Sequence, residues 1–196
     1  MPFPERLAIA SKNPHKLREL GRICRDWPVE WITVQNHRGP WPDVDEPHDT
    51  YLHNALEKAR AVAEVLGVPA IADDSGIEVD ALDGGPGPRS ARFAGEGASD
   101  ADNLAKLIGL VADMEPDARM ALYRCVAAIA WPDGRTMHAE GTCEGALIGQ
   151  PRGDRGFGYD PVFVPQGERR TMAELGDEEK DRISHRGRAF RALADL

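Results

Sequence analysis

The chain has 196 residues, enough for one substantial core or two lobes sharing a sheet, and its 41% hydrophobic and 29% charged residues exclude a disordered chain. Its formal charge of -9, from 24 Lys plus Arg against 33 Asp plus Glu, repels phosphate backbones at long range and argues against nucleic-acid binding. A small phosphorylated ligand remains open, because a local group of cations or a divalent ion reverses the sign of the field inside a site.

No apolar run reaches bilayer length, and the segment from Met1 to Arg6 lacks the apolar stretch of a signal peptide, so a soluble, cytoplasmic protein without a membrane partner is expected. Cys24, Cys125 and Cys143 are scattered, with no Cys-x-x-Cys pair, which fits reduced thiols rather than a disulfide framework.

In chain order, Leu7 to Ala10 predicts a short buried strand. Ser11 or Asn13 then caps a helix that has Pro14 in its first turn and runs to about Cys24. Glu30 to Val34 reads as a second strand, and Gly39 to Asp49, rich in Pro and Asp, as loop. From Thr50 to Leu66, Leu52, Ala55, Leu56, Ala59, Val62 and Ala63 recur at helical spacing. Ala70 to Ala72 predicts a buried strand ending at Asp73-Asp74-Ser75-Gly76, and Asp83 to Gly97 a glycine-rich loop.

Asp100 to Leu110 follows as an amphipathic helix capped by Ser99 or Asp100. Ala118 to Ala130, the turn Pro132-Asp133-Gly134 and a run ending near Gly145 form a hairpin signature. Beyond loop 149–158, Pro161 to Val164 reads as a short strand, Thr171 to Glu174 as a capping box and Ser184 as the cap of a last helix. Strands interleaved with helices, plus one long hairpin, give an α/β fold with a mixed sheet in a single domain over 1–196.

Four segments carry chemistry. Asp73-Asp74-Ser75-Gly76 offers adjacent hard oxygen donors of the kind magnesium prefers, at a strand end where α/β folds place ligands. Taken alone, the same residues are better read as a turn. Ser11-Lys12-Asn13-Pro14-His15-Lys16 joins a strand to a helix N-terminus, a geometry that receives phosphate, although an ordinary cap has the same residues and the Walker A pattern is absent.

Phe157-Gly158-Tyr159-Asp160 puts two aromatics and a carboxylate on a glycine-flanked loop, suited to base stacking or simply to packing. Lys180, His185, Arg186 and Arg188 gather near a helix start, where cations oppose the macrodipole and an anionic or carbonyl-bearing ligand would relieve the conflict. The histidines show no zinc-ligand spacing, and no Gly-x-Ser-x-Gly elbow marks a serine hydrolase.

The order and wording of these segments resemble one family, the non-canonical purine nucleoside triphosphate pyrophosphatases (RdgB-like; inosine/xanthosine triphosphate pyrophosphatases). The match runs from Ala10-Ser11-Lys12-Asn13 with Lys16 and Glu19, through Glu46, Asn54-Ala55 and Lys58-Ala59, to Ala72-Asp73-Asp74-Ser75-Gly76. It continues through Ser90 to Gly95, Pro151-Arg152-Gly153, Gly156 to Phe163, Glu179-Lys180 and Ser184-His185-Arg186-Gly187.

The resemblance implies a two-lobed α/β fold, with a long mixed twisted sheet flanked by helices and an active-site cleft between lobes, assembled as a homodimer. It implies a nucleotide hydrolase that cleanses the nucleotide pool of ITP, dITP and XTP, releasing the monophosphate and pyrophosphate with Mg2+ bound. By position, Asp74 is the implied general base and a metal ligand, and Glu46 a second metal ligand. Ser11, Lys12, Asn13, Pro14, His15 and Lys16 would hold the triphosphate together with Ser75. Phe157, Gly158, Tyr159, Asp160, Lys180, His185 and Arg186 would bind the nucleotide, the last two nearest the base.

His53, Asp181 and Pro88-Arg89 depart from the family's usual residues without touching this set. Maf-like pyrophosphatases share the implied fold but lack the pairing of Phe157-Gly158-Tyr159-Asp160 with Ser184-His185-Arg186.

Overall fold

The computed structural model describes residues 3–46 and 48–196. Two compact units emerge: one holds the chain up to Asp74 with Cys125–Gly141 and Arg188–Leu196, the other Ser75–Arg124 with Thr142–Gly187.

Among the described residues, seven strands form one sheet: β1 (Arg6–Ile9), β2 (Glu30–Ile32), β3 (Ala70–Val79), β4 (Gly85–Pro86), β5 (Met120–Ala130), β6 (Thr136–Leu147) and β7 (Phe163–Pro165). Their order is β2-β1-β3-β5-β6-β7, with β4 on β3. β1 runs parallel to β2 and β3, whereas β4 pairs antiparallel with β3 and β7 antiparallel with β6. The sheet is therefore mixed, and the fold is α/β as the sequence implied. Among the described residues, five α-helices accompany it: α1 (Pro14–Ile23), α2 (Tyr51–Leu66), α3 (Asp100–Val111), α4 (Asp177–Ile183) and α5 (His185–Ala194). Among the described residues, no helix is long and apolar enough to cross a membrane.

Side-chain caps open the first three helices. Asn13 Oδ1 accepts the amides of His15 and Lys16, Thr50 caps α2, and Ser99 with Asp102 closes a capping box on α3. Gly67 ends α2 in the left-handed conformation that glycine adopts without steric cost.

Within the first unit, alternation along the strands supplies two apolar faces. Leu7, Ile9, Ile71, Cys125, Ala127 and Ile129 pack with Leu20 of α1 and Phe190 of α5. Ala8, Ala70 and Ala72 pack with Ala59, Val62 and Ala63 of α2. The second unit has its own core, in which Ile77, Val79, Tyr123 and Phe163 meet Leu107 and Val111 of α3 and Met172 and Leu175. All three cysteines are buried free thiols.

Three expectations require correction. β3 does not stop at Ala72 but runs ten residues through Asp73, Asp74, Ser75 and Gly76 to Val79. Turn propensity yields there because Ile77 and Val79 continue the alternation into a core, and Ser90 Oγ receives the Ile77 amide at 2.9 Å. Gly76 has a steric reason, since a Cβ on it would lie 2.1 Å from the Gly87 carbonyl oxygen.

The 83–97 segment is not plain loop, because it contains β4 and a 3-10 helix over Gly87–Arg92. Thr171 to Glu174 closes a turn rather than opening a helix. Glu174 accepts the Thr171 amide, while the Thr171 hydroxyl donates to Arg152 O at 2.8 Å. The helix begins at Asp177, where Glu179 takes the Gly176 amide instead.

Candidate active site

The chemistry of the first unit centres on β3. Successive strand residues point to opposite faces, so Asp73 and Asp74 acquire different partners. Asp73 meets Lys16 of α1, with Nζ 3.0 Å from Oδ2 and 3.5 Å from the main-chain oxygen, and takes the Cys125 thiol at 3.9 Å. Asp74 faces α2, whose Asn54 and Lys58, one helical turn apart, lie on the same stripe. Asn54 donates to Asp74 Oδ2 at 3.0 Å, and Lys58 Nζ stands 3.6 Å from Oδ1. The same ammonium group is 3.0 Å from Glu46, so two carboxylates converge on one lysine.

Burying a carboxylate costs several kcal/mol unless it is paired, and both acids are paired. Their protonation diverges nonetheless. Burial pushes the Asp74 carboxyl up, Lys58 and Lys16 pull it down, and Glu46 raises it again, for a net upward shift. For Glu46, burial also pushes up, but Lys58 and Lys16 together outweigh it and hold the group below the ordinary range. Two neighbouring carboxyls with affinities driven apart are the arrangement that separates a proton acceptor from a permanently charged ligand.

The donor set has the chemistry of a magnesium site in part. Glu46 and Asp74 supply hard oxygens to a common point, while no group of three metal-ligating side chains occurs among the described residues. Magnesium is commonly held by one or two carboxylates plus substrate phosphates and water, so a two-carboxylate set fits it.

Residues of the 11–16 segment divide. Ser11 Oγ takes the Asn13 amide and Asn13 caps the helix begun by Pro14, which positions Lys16. Lys12 pairs with exposed Asp43, and Arg18 donates to His15 Nδ1 at 2.9 Å.

In the second unit the 157–160 loop is tied down at nearly every residue. Asp160 Oδ2 accepts the Phe157 amide at 2.9 Å and pairs with Lys180 at 2.6 Å. The Gly158 amide donates to Asp100 at 3.1 Å, and the Tyr159 hydroxyl donates to Ser90 O at 2.7 Å. Gly156 cannot be larger: its φ is +72°, and a Cβ would sit 2.0 Å from Asp160 Oδ2.

Two cations look onto the Phe157 ring, Lys180 at 5.4 Å and Arg186 at 5.6 Å from its centroid. Arg186, only 2% exposed, donates to Ser75 Oγ at 2.9 Å. His185 and Arg186 open α5 directly after Ser184, whose Oγ accepts the Gly187 amide. His185 lies parallel to Tyr123, with centroids 4.5 Å apart and planes 5° apart.

Phe157, Asp160, Lys180 and Arg186 are thus linked by contacts within one unit, and Arg186 also ties in Ser75, which the family resemblance had placed with the triphosphate segment instead. Tyr159 is instead a buried strut. The sequence singles out Asp73 only as part of its segment, with no role of its own, and does not single out Asn54 or Tyr123 for the site. The four-residue spacing of Asn54 and Lys58 was a usable signal. Tyr123 gave none, since an aromatic at an inward strand position reads as core.

A model of the Ham1 family matches residues 7–196. A dITP/XTP pyrophosphatase of Streptomyces coelicolor is 48% identical over 192 residues, which cover 97% of this chain and 96% of that protein. One of Desulforamulus reducens is 44% identical over 191 residues, covering 97% and 94%. Among solved structures, a HAM1 protein from Coxiella burnetii is similar with a TM-score of 0.86 and 36% identity, over 98% of each chain.

Proposed function

The chain belongs to the Ham1 family, and we infer from that membership and from the site's geometry that it hydrolyses non-canonical purine nucleoside triphosphates to the monophosphate and pyrophosphate. Inosine, deoxyinosine and xanthosine triphosphates are its substrates on this reading. The observation that carries the chemistry is the convergence of Glu46 and Asp74 on Lys58, with Lys16 close enough to bias both acids.

Asp74 takes a proton from the attacking water, a role favoured by a carboxyl whose proton affinity is raised toward the working pH. The new bond forms between that water oxygen and the α-phosphorus, and the bond from the α-phosphorus to the bridging oxygen breaks, releasing pyrophosphate. Lys16 and Lys58 offset charge on the phosphate oxygens, and the α1 N-terminus adds its dipole. Magnesium held through Glu46 and Asp74 would supply further charge neutralisation and orientation of the phosphates. Phe157 offers its ring to the base, and Arg186 and His185 face the base's polar edge. A homodimer in the cytoplasm completes the reading, on the family resemblance alone.

Incubation with inosine triphosphate and magnesium is expected to yield inosine monophosphate and pyrophosphate, with activity lost on chelation. The diphosphate and orthophosphate on an ion-exchange column would overturn the assignment, and full activity with excess chelator would remove the metal from it. Equilibrium sedimentation should give twice the chain mass; a single species at the mass of one chain would refute the dimer.

A further inference from the structure

Tyr123 lies on β5 and is buried, and its phenol touches both His185 and Asp160. Its ring stacks on the imidazole of His185, with centroids 4.5 Å apart and planes 5° apart. Its hydroxyl donates to Asp160 Oδ1 at 3.4 Å, while Oδ2 of that carboxylate already takes the Phe157 amide and Lys180. The ring is itself steadied by the edge of Phe163, 4.7 Å away at 64°.

A carboxylate with two oxygens can rotate, and an imidazole on the first turn of a helix can turn about its side-chain bonds. Here one residue restrains both, the ring by its plane and the carboxylate through its second oxygen. Side chains that read a base must keep their hydrogen-bonding edges within small angular limits, and they do so only when packed against rigid neighbours.

We propose that Tyr123 is a positioning residue for base selection: without touching substrate, it sets the plane of His185 and the orientation of Asp160, and so the preference for 6-oxopurines over 6-aminopurines. The inference rests on the reading of the second unit as the base-selecting part. It makes the phenol's two halves separable. Tyr123→Phe keeps the stack and loses the hydrogen bond; Tyr123→Leu loses both.

Calorimetric binding of inosine monophosphate, adenosine monophosphate and inorganic tripolyphosphate tests it without turnover, alongside kcat and KM for inosine triphosphate. Tyr123→Phe is expected to reduce the preference for inosine over adenosine monophosphate by about threefold to tenfold, the range of one hydrogen bond. Tyr123→Leu should bring that preference near unity. Tripolyphosphate affinity should stay within twofold of wild type in Tyr123→Phe, with KM for inosine triphosphate raised and kcat within a few-fold.

A preference unchanged in Tyr123→Phe and in any folded Tyr123→Leu overturns the proposal, and so does tripolyphosphate affinity falling in step with nucleotide affinity. A wild type that binds the two monophosphates equally overturns it as well. If wild type fails to cleave inosine triphosphate while Tyr123→Phe still lowers the binding preference, the assigned reaction falls and the positioning role stands.

Discussion

Asp74→Asn is expected to lower turnover of inosine triphosphate by about 10²–10⁴-fold, the usual cost of removing a general base. The amide is nearly isosteric and still accepts from Asn54, and Lys58 keeps Glu46, so the fold and most nucleotide affinity should survive. Asp73 is the control that makes this informative. It is buried beside Asp74 and is also an aspartate, but Lys16 pairs with it at 3.0 Å and it faces the other side of the strand. Asp73→Asn should therefore act through the placement of Lys16 and cost less. Glu46→Gln should resemble Asp74→Asn, with partial rescue by high magnesium. Retention by Asp74→Asn of more than about a tenth of the wild-type rate, well outside the range for a lost base, would show that the proton acceptor lies elsewhere.

Replacing Arg186 should move selectivity instead of chemistry. Hypoxanthine and xanthine present an O6 acceptor, whereas adenine presents an amino group there; a guanidinium has only donors to offer either. Arg186 already directs one of them to Ser75 Oγ and lies over one face of Phe157, so its plane is fixed. An unpaired polar group in a closed site costs about 1–3 kcal/mol, which corresponds to roughly a tenfold to hundredfold preference. Arg186→Met fills most of the volume that an alanine would leave as a cavity in this buried position. The ratio of kcat/KM for inosine over adenosine triphosphate should collapse by that factor. A loss equal for both nucleotides would mean that Arg186 serves only as a counter-charge.

Much of this organisation was legible in the residues themselves. The caps at Asn13 and Ser99, the hairpin of β5 and β6, and the buried faces of β1 and α2 follow from local rules that the tertiary structure does not override. Where the reading failed, a distant partner decided. Asp73-Asp74-Ser75-Gly76 has the composition of a turn, yet Lys16, Asn54 and Lys58 satisfy its carboxylates and Ser90 its following amide, so the strand continues. Thr171 and Glu174 form half of a capping box, but the Thr171 hydroxyl is drawn to Arg152 O, nineteen residues away in sequence, and no helix starts. The ordering role of Tyr123 depends on contacts to residues 160 and 185, which no window of sequence brings together. Family resemblance supplied the rest of the candidate site; spacing alone left the phosphate segment and the aromatic loop open to ordinary structural readings.

The central claim is that water attacks the α-phosphorus and pyrophosphate departs intact. Hydrolysis of inosine triphosphate in water enriched with heavy oxygen, followed by mass spectrometry of both products, tests it directly. The account predicts one heavy oxygen in inosine monophosphate and none in pyrophosphate. Label in pyrophosphate would place the attack at the β-phosphorus and contradict it.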